Sequence, residues 1–399
     1  MSFNPAKAIE NIHTFGPHNE INPPISDTST YAFKKAQDMY DTFEGKTEGM
    51  FLYSRHTSPS TAYLSEALAA MENTESANVS TTGMGAIVPA ILQLCDAGSH
   101  IITSRTIYGG TYAFLKNFAP KLGIETTFVN ITDLEEIEKS IRKNTKLIYC
   151  ETVSNPLLEV ADLPNISKIA KKHHLKLYVD NTFSPLSITP QLYGADVVLH
   201  SLTKYINGSS DAMGGVICSD KEFIESTKDV NTGASMLIGA SMDSFRASSI
   251  LKNLRTLPIR IQQHSRNALY LAQRFEEIGV PTLYPGLTSH PGHTTYTKMM
   301  NKNFGYGGML TLDAGSQEKA NRLMERMQEK KLGYLAVSLG FYKTLFSAPG
   351  SSTSSEISLE EQKNMGLNNG LIRISIGLDS NIEDTSKQME ACLKEVKII

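Results

Sequence analysis

A lysine that follows an apolar segment is the strongest candidate for a reactive residue in this sequence. Val197–Leu199 is apolar, and the chain then passes through Ser201 and Thr203 to Lys204. An unprotonated lysine amine forms a Schiff base with an aldehyde, and neighbouring hydroxyl groups can bind a phosphate. The order of strand, hydroxyl-bearing residues and lysine therefore predicts that Lys204 holds pyridoxal phosphate (PLP), with Ser201 and Thr203 at its phosphate.

An acidic residue earlier in the chain strengthens this prediction. The apolar segment Leu177–Val179 ends in Asp180. A carboxylate at this position can pair with the protonated pyridine nitrogen of PLP and keep the ring an electron sink. An aspartate after a strand can instead cap the next helix or turn. The combination of Asp180 with Lys204 favours a cofactor site over a capping role for Asp180.

A glycine-rich segment joins another predicted strand to an apolar helical stretch. It reads Ser80-Thr81-Thr82-Gly83-Met84-Gly85. Glycines at the start of a helix leave backbone N–H groups accessible to an anion, and the helix dipole favours phosphate there. Such turns are also common packing devices, but ligands of doubly wound sheets bind at the carboxyl ends of strands. We therefore expect Gly83 and Met84 to contact the cofactor.

Four further residues could hold or react with a substrate on the cofactor. Tyr108 precedes two glycines, so its ring could stack on the pyridine and its phenol act as an acid or base, although it could also be an ordinary loop tyrosine. Glu151 and Asn155 follow another strand and could reach the cofactor's edge. Arg373 lies between apolar neighbours, where a guanidinium suits either a carboxylate clamp or a structural ion pair.

The histidines and cysteines do not predict a metal site. His290-Pro291-Gly292-His293 fits a turn and has no adjacent acid or cysteine. The four cysteines have no CxxC spacing, which favours free, buried thiols in a reducing compartment over disulfides.

Length and charge exclude several classes of protein. The 399 residues allow two or three domains. The net charge of −3 gives no sign of binding to nucleic acid or a membrane surface. No apolar run approaches the roughly 18 residues of a membrane span, and the first residues lack a signal-peptide pattern. We therefore expect a cytoplasmic protein whose ligand is a small molecule.

Alternating strands and helices must position these residues. A helix is predicted over Tyr63–Met71 and others over Leu134–Arg142 and Leu163–Lys172. Short apolar segments typical of buried strands lie at Ala77–Ser80, Ile101–Ser104, Thr126–Val129, Leu147–Cys150, Leu177–Val179, Val197–His200 and Gly215–Cys218. This pattern predicts an α/β fold with a mostly parallel sheet covered by helices on both faces.

The rest of the chain predicts an arm and a second, smaller domain. Residues 1–60 are poor in periodic structure and read as an extended arm, followed by a PLP-binding domain over 61–255 and a C-terminal domain over 256–399. Long helices are predicted over Ser244–Leu254 and Arg260–Ile278. Gly307–Leu312 and Ile372–Ile376 are typical of strands in a second, antiparallel sheet.

With Tyr108, Asp180, Lys204 and Arg373 in this order, the sequence resembles the Cys/Met-metabolism family of PLP-dependent enzymes. The resemblance implies a fold-type-I, aspartate aminotransferase-like α/β fold with a smaller α+β C-terminal domain. It implies a homotetramer built from active-site dimers, in which Tyr53 and Arg55 reach the phosphate site of the neighbouring subunit. It also implies that Ser338 and Asn155 join Arg373 in holding the substrate carboxylate.

Within the family, several stretches resemble plant-type methionine γ-lyases. The most informative is Ser347–Glu356, where most members carry a different, histidine-containing pattern; the others are Tyr53–His56, Tyr108–Thr111, Tyr284–His293 and Gly305–Gly308. Two residues depart from the family pattern: Gly110 stands where many bacterial methionine γ-lyases have cysteine, and Lys343 where glutamate is common.

The resemblance implies a carbon–sulfur lyase that eliminates methanethiol from L-methionine. The alternatives are an O-acetylhomoserine sulfhydrylase or a cystathionine γ-synthase or lyase, which share the same core residues. A non-catalytic PLP-binding protein would not need all of Lys204, Asp180, Tyr108 and Arg373.

Overall fold

Short helices occupy part of the N-terminal segment. The structure is a computed structural model that describes residues 3–12, 16, 18–47, 49–349, 360, 362 and 365–399. Helices α1 (Pro5–Glu10) and α2 (Ala36–Phe43) interrupt the segment predicted as an extended arm, and helix α3 (Pro59–Glu72) follows it. Ser58 accepts a hydrogen bond from the Thr61 amide and so caps α3. The predicted domain boundaries stay a prediction.

A seven-stranded sheet forms the first layer, in the order β1-β7-β6-β5-β4-β2-β3. Strands β2 to β6 pair in parallel, and β7 is antiparallel to both of its neighbours, β6 and β1. Every strand predicted in this part of the chain is present: β1 (Ser76–Ser80), β2 (His100–Ser104), β3 (Glu125–Val129), β4 (Thr145–Glu151), β5 (Lys176–Asp180), β6 (Val197–Ser201) and β7 (Gly215–Ser219).

Helices cover both faces of this sheet. Val179 and Val198 pack on one face against Leu68 of α3, while Tyr178 and Leu199 face an apolar cluster on the other. The helices are α4 (Gly83–Leu94), α5 (Gly109–Ala113), α6 (Leu134–Lys139), α7 (Leu163–Lys172), α8 (Lys221–Lys228), α9 (Ala234–Ile238) and α10 (Ser244–Leu254). Shorter helical turns lie at Phe114–Phe118, Ala119–Leu122 and Pro190–Tyr193.

A second unit with its own apolar core follows helix α11 (Leu257–Glu277). Its five-stranded sheet has the order β10-β11-β12-β9-β8 and is antiparallel except between β10 and β11. The strands are β8 (Thr282–Leu283), β9 (Met309–Asp313), β10 (Tyr334–Leu335), β11 (Leu345–Ser347) and β12 (Leu371–Ser375). Its other helices are α12 (His293–Met299), α13 (Gln317–Glu329) and α14 (Ile382–Glu395).

The two sheets meet beside one edge of the first sheet. Because β1 and β6 are both antiparallel to β7, β1 runs in the same direction as β4, β5 and β6. The carboxyl ends of these four strands therefore share an edge. Thr311 of β9 donates a hydrogen bond to the carbonyl of Pro156, just beyond β4, and so joins the second unit to this edge. No helix in the described ranges is long and apolar enough to cross a membrane.

Candidate active site

A cavity of about 580 Å³ lies where the two units meet. Strand ends of the first sheet supply one wall, and residues 337–339 with β12 supply another. Eleven residues predicted from the sequence line it together: Gly83, Met84, Tyr108, Glu151, Asn155, Asp180, Ser201, Thr203, Lys204, Ser338 and Arg373. The convergence follows from the shared direction of the strands, because each strand delivers its terminal side chains to the same edge.

Lys204 lies in the turn that follows β6. Its amide donates to the carbonyl of Ser201 (3.2 Å), and its Nζ donates to the hydroxyl of Ser338 (3.0 Å). Burial, assisted by the positive charge of Arg373, lowers the pKa of Lys204 from 10.5 to about 8. A larger fraction of the amine is therefore neutral near physiological pH, which is the state that attacks an aldehyde or accepts a proton.

Gly340 lets the second unit approach the backbone of this lysine. A Cβ atom on Gly340 would lie 2.5 Å from the amide nitrogen of Tyr205 and 2.9 Å from the carbonyl carbon of Lys204. Its φ of +77° also favours glycine. The lysine turn is therefore held directly against residues 338–340.

Asp180 ends β5 and is fixed by Thr182. Its Oδ1 accepts hydrogen bonds from the Thr182 amide (2.9 Å) and hydroxyl (2.6 Å), and that hydroxyl in turn accepts from the Ser201 amide (2.8 Å). Burial raises the pKa of Asp180, while the bonds from Thr182 and the charge of His200 oppose the rise. No lysine or arginine pairs with Asp180 among the described residues. A buried carboxylate of this kind fits a pyridinium nitrogen as its cation.

Glu151 connects two loops of the cavity. Its two carboxyl oxygens accept from the amides of Tyr108 (2.7 Å) and Asn155 (2.9 Å). Burial and the neighbouring Asp180 carboxylate raise the pKa of Glu151. Glu151 thus orients the loops that carry Tyr108 and Asn155.

Tyr108 stands at the cavity mouth with 43% of its surface exposed. Its ring passes so close to Gly110 that a Cβ atom there would lie 2.6 Å from the ring carbon Cε1 and 3.2 Å from the sulfur of Met84. Real Cβ contacts of 2.6 Å essentially do not occur. The glycine that departs from the bacterial cysteine pattern is therefore what allows this position of the tyrosine ring.

Arg373 is buried on β12, with 4% of its surface exposed. Its guanidinium donates to Oδ1 of Asn155 (3.1 Å) and to the carbonyl of Ser338 (3.2 Å). Burial lowers the pKa of Arg373 to about 10, so it remains a cation at neutral pH. The predicted alternative of a structural ion pair is not found among the described residues, which leaves the charge for an anionic ligand in the cavity.

The start of α4 forms the end of the cavity that suits a phosphate. Thr82 caps the helix by accepting from the Gly85 amide (2.9 Å). A Cβ atom on Gly83 would lie 3.0 Å from the Cβ of Ser201, so glycine keeps a space open between the helix start and Ser201. Thr203 borders the same cavity and is hydrogen-bonded to the backbone of Gly214. Helix N–H groups and a hydroxyl facing such a space fit the phosphate of PLP.

Two predicted phosphate ligands lie outside this cavity. Tyr53 and Arg55 do not contribute to its wall within the same chain. Arg55 instead donates to the carbonyl of Met236 (3.1 Å), and its guanidinium lies 5.8 Å from the centre of the Tyr53 ring. Their predicted role in a neighbouring subunit stays a prediction.

Other positions singled out in the sequence also lie away from the cavity. His290 and His293 shape the turn before α12: His290 accepts from the Gly292 amide, and His293 stacks on Tyr306. Lys343 lies 5.5 Å from the ring centre of Tyr334. Of the plant-type stretch Ser347–Glu356, the part from Gly350 onward is outside the described residues.

Some residues of the site were not assigned a role from the sequence. Thr182 orients Asp180, and Phe183 and Val337 add apolar surface to the cavity wall. Thr182 follows Asp180 by two residues, a spacing at which an aspartate often accepts from the backbone, so a local signal was present. Phe183 and Val337 carry no comparable signal, because only the packing of the two units brings them together.

Known proteins resemble this chain over nearly its whole length. The sequence pattern of the Cys/Met metabolism PLP-dependent enzymes matches residues 7–394. The methionine gamma-lyase of Arabidopsis thaliana is 38% identical over 393 residues, which is 97% of this chain and 89% of that protein. The O-succinylhomoserine sulfhydrylase of Pseudomonas aeruginosa is 33% identical over 377 residues, 94% of this chain and 91% of that protein.

A solved structure matches the fold and bears the cofactor. It comes from Campylobacter jejuni, is provisionally named an O-acetylhomoserine (thiol)-lyase and contains a lysine modified as N′-pyridoxyl-lysine-5′-monophosphate. It superposes with a TM-score of 0.90 at 30% identity and covers 98% of this chain and 100% of that one. The match confirms the predicted fold class. A family pattern that spans the chain, together with a cavity suited to PLP, shows that this protein belongs to the Cys/Met metabolism family of PLP-dependent enzymes.

Proposed function

We propose that this PLP-dependent carbon–sulfur lyase eliminates methanethiol from L-methionine and yields 2-oxobutanoate and ammonia. Relatives named methionine gamma-lyase, from Arabidopsis thaliana and from Porphyromonas gingivalis, are each 38% identical to the chain over at least 90% of its length. These names support the proposal but belong to those proteins, and the cavity supplies the physical argument for the substrate.

The observation that carries the proposal is the distribution of charge on the cavity wall. Its ionisable side chains already have other roles: Asp180 and Lys204 suit the cofactor, Arg373 suits the carboxylate, Glu151 binds two loop amides, and Tyr108 stands at the mouth. Apolar side chains form much of the remaining wall that the described residues supply: Met84, Ile87, Val153, Phe183, Met213 and Val337. An uncharged thioether such as the methionine side chain suits that wall, whereas the second amino-acid head group of cystathionine would bring two charges to it.

PLP, when bound, supplies the electron sink that makes the protons on Cα and Cβ of an attached amino acid acidic. Asp180 would hold the proton on the pyridine nitrogen. Lys204, whose pKa is lowered to about 8, would take the Cα proton with its neutral Nζ. The hydrogen bond from Nζ to Ser338 would fix the direction from which the amine acts.

The remaining residues bind the substrate and complete the elimination. Arg373 would bind the carboxylate with its guanidinium, assisted by Asn155 and Ser338, and so orient the Cα–H bond. Tyr108 would donate its phenolic proton to the departing sulfur, so that methanethiol rather than the less stable thiolate is released. One water molecule then hydrolyses the fragment that remains after thiol release, which gives 2-oxobutanoate and ammonia.

The second candidate is a γ-replacement, in which sulfide or a thiol adds to an O-acylhomoserine. The solved Campylobacter jejuni structure and the Pseudomonas aeruginosa relative carry names of this class. The same lysine, aspartate and arginine serve both reactions. The two differ in which γ-substituent the apolar wall admits and in whether a sulfur nucleophile then bonds to Cγ or water hydrolyses the remaining fragment.

A second copy of the chain is part of the proposal. Tyr53 and Arg55 do not reach the cavity of their own chain. Helix α2 buries none of its residues and exposes the large side chains of Met39, Tyr40 and Phe43. We infer an active-site dimer in which Tyr53 and Arg55 serve the neighbouring site, with two dimers forming a homotetramer. All four cysteines are buried free thiols, which supports a cytoplasmic location.

A side-by-side assay tests the function. Methionine, cystathionine, homocysteine and O-acetylhomoserine, the last with and without sulfide, are compared by the release of 2-oxobutanoate and of thiol. We expect the largest kcat/KM with methionine. Vigorous sulfide-dependent synthesis of homocysteine with negligible cleavage of methionine would replace the proposal by the second candidate.

A further inference from the structure

A buried polar network lies beneath the cavity, on the opposite face of the first sheet. Three strands each present one residue to the cavity at their carboxyl ends: Glu151 from β4, Asp180 from β5 and Ser201 from β6. Adjacent side chains of extended backbone point to opposite faces, so the chain neighbours of these residues, one within β6 and two directly after β4 and β5, turn away from the cavity. Those neighbours are Thr152, Asn181 and His200.

Two of these neighbours, Asn181 and His200, contact one carboxylate from α3, and Thr152 is joined to it through Asn181. The hydroxyl of Thr152 donates to Oδ1 of Asn181 (2.8 Å), and Nδ2 of Asn181 donates to Oε1 of Glu72 (3.3 Å). Nε2 of His200 lies 2.7 Å from the same Glu72 oxygen. All four side chains are buried. The network therefore joins the ends of β4, β5 and β6 to a single point on α3.

Burial of Glu72 at this position is energetically costly. It is the last residue of α3, where the helix dipole disfavours a negative charge. Its side chain and that of His200 are each 1% exposed, and burial of an ionisable pair rarely gives more stability than apolar residues of the same size. Oε2 of Glu72 and Nδ1 of His200 are also buried without a hydrogen-bond partner among the described residues.

The network is coupled to the cavity by backbone hydrogen bonds. The Thr152 amide donates to the carbonyl of Asp180 (3.0 Å), and the Asn181 amide donates to the carbonyl of Leu199 (2.8 Å). A shift of Thr152, Asn181 or His200 therefore moves the adjacent cavity residue on the same strand. The charge of His200 also lowers the pKa of Asp180, against the larger effect of burial.

We propose that Glu72 and His200 are positioning residues for the cofactor: they hold the ends of β4, β5 and β6 so that Glu151, Asp180 and Ser201 face PLP together. Their role concerns how the cofactor is held, and it does not depend on which amino acid the enzyme cleaves. Neither residue lines the cavity, so their effect on PLP is transmitted through the strand ends.

The test separates cofactor binding from stability in the full-length protein. Glu72→Leu combined with His200→Leu removes both ionisable groups and keeps an apolar volume. We expect the melting temperature of the apoprotein to stay at or above that of the wild type, while PLP binds about tenfold more weakly in absorbance titrations. The single substitution Glu72→Gln keeps the Oε1 acceptor and should retain most of the wild-type affinity for PLP. Glu66→Gln, on an exposed position of the same helix, is the matched control and should bind PLP like the wild type.

A double-mutant cycle distinguishes positioning from general damage. If Glu72 acts through Asp180, the change Glu72→Leu/His200→Leu weakens PLP binding much less in an Asp180→Asn background than in the wild type. Thr152→Val, an isosteric change, should weaken PLP binding in the same direction and decides the matter should the double leucine variant not fold. Three outcomes would each overturn the proposal. The first is an unchanged PLP affinity in both Thr152→Val and the leucine variant. The others are losses of affinity that parallel losses of melting temperature, and full additivity with Asp180→Asn.

Discussion

Nζ of Lys204 donates a hydrogen bond to the hydroxyl of Ser338, whose carbonyl accepts another from the guanidinium of Arg373. Ser338 has a φ of +82°, a conformation that residues other than glycine rarely adopt. One residue thus contacts both the amine that would attack the cofactor and the cation that would bind the substrate carboxylate. This arrangement links the basicity of Lys204 to Arg373, whose charge contributes to the lowered pKa of the lysine.

The attachment of PLP should depend on pH through Lys204. The folded-state pKa of Lys204 lies near 8 instead of 10.5, so the neutral amine becomes the major form as the pH rises through 8. We expect the rate at which the apoprotein combines covalently with PLP, followed by stopped-flow absorbance, to rise up to about this pH and then level off.

Substitution of Arg373 checks the cause of this pH dependence. Arg373→Met removes the nearby positive charge, so the midpoint should move to higher pH, although not to 10.5 because burial is the larger cause. Arg246→Gln, an exposed arginine on α10, is the control and should leave the midpoint in place. A wild-type midpoint near 10 would contradict the lowered pKa.

Tyr108→Phe should slow the release of thiol selectively. The phenol would protonate the departing sulfur, and general-acid assistance is typically worth about 10²–10⁴-fold, so the loss should appear mainly in kcat. Exchange of the Cα proton of methionine with deuterium from solvent, measured by NMR, should survive better, because Lys204 handles that earlier proton. Equal losses of exchange and elimination would remove the acid role and leave the lyase assignment intact.

Gly110→Ala should displace the ring of Tyr108. The added Cβ atom would lie 2.6 Å from the ring carbon Cε1, so either the ring or the loop must move. We expect kcat/KM for methionine to fall about tenfold or more, since a displacement of about 1 Å in a catalytic group can cost up to about 10²-fold.

The same substitution in a Tyr108→Ala background provides the control for Gly110. Without the ring the new methyl group meets only the sulfur of Met84, at 3.2 Å on a flexible side chain, so Gly110→Ala should then have little additional effect. A loss of equal size in both backgrounds would assign the role of Gly110 to the loop backbone instead.

Mixed dimers test the shared site. Arg55→Ala should weaken PLP binding, and Lys204→Ala should abolish activity. When the two variants are unfolded, mixed and refolded, each mixed dimer contains one site that has both residues intact if Arg55 serves the neighbouring cavity. Activity should therefore reappear at roughly a quarter of the wild-type value, because half of the dimers are mixed and each has one complete site. No recovery on mixing means that Arg55 acts within its own chain, whereas an Arg55→Ala variant that binds PLP like the wild type would show that it has no role at the site.

The local sequence pattern was sufficient to predict the strands of the first sheet, because they are continuous apolar segments between polar turns. Each of the seven predicted strands is present, and residues at or just beyond the carboxyl ends of β1, β4, β5 and β6 line one cavity. Strands β8, β10 and β11 were not predicted, since two or three residues are too few to establish a period of two. Helix α6 ends at Lys139, before the predicted Arg142, and α11 begins at Leu257, ahead of the predicted Arg260.

The site was predictable where one residue type carries the chemistry. Lys204, Asp180 and Arg373 each have a distinctive charge next to apolar sequence, and all three line the cavity. The buried residues that we propose position the cofactor-binding strand ends were not predictable in the same way. Glu72 and His200 are 128 positions apart, and nothing in the sequence near either residue indicates that they form a hydrogen bond. Such pairs depend on how α3 packs across the sheet.

Residues of two structural units line the cavity, and Gly340 lets them approach each other closely. The groups that suit the cofactor come from the first sheet, whereas Arg373 and Ser338, which suit the amino acid, come from the second unit. An evolving lineage can therefore alter apolar residues of the second unit such as Val337, and with them the range of amino acids accepted, while Asp180, Ser201 and Lys204 are kept. The same division offers a route to engineering: libraries at Val337 would vary the apolar wall and so sample new substrates, while Ser338, which contacts Lys204, is kept.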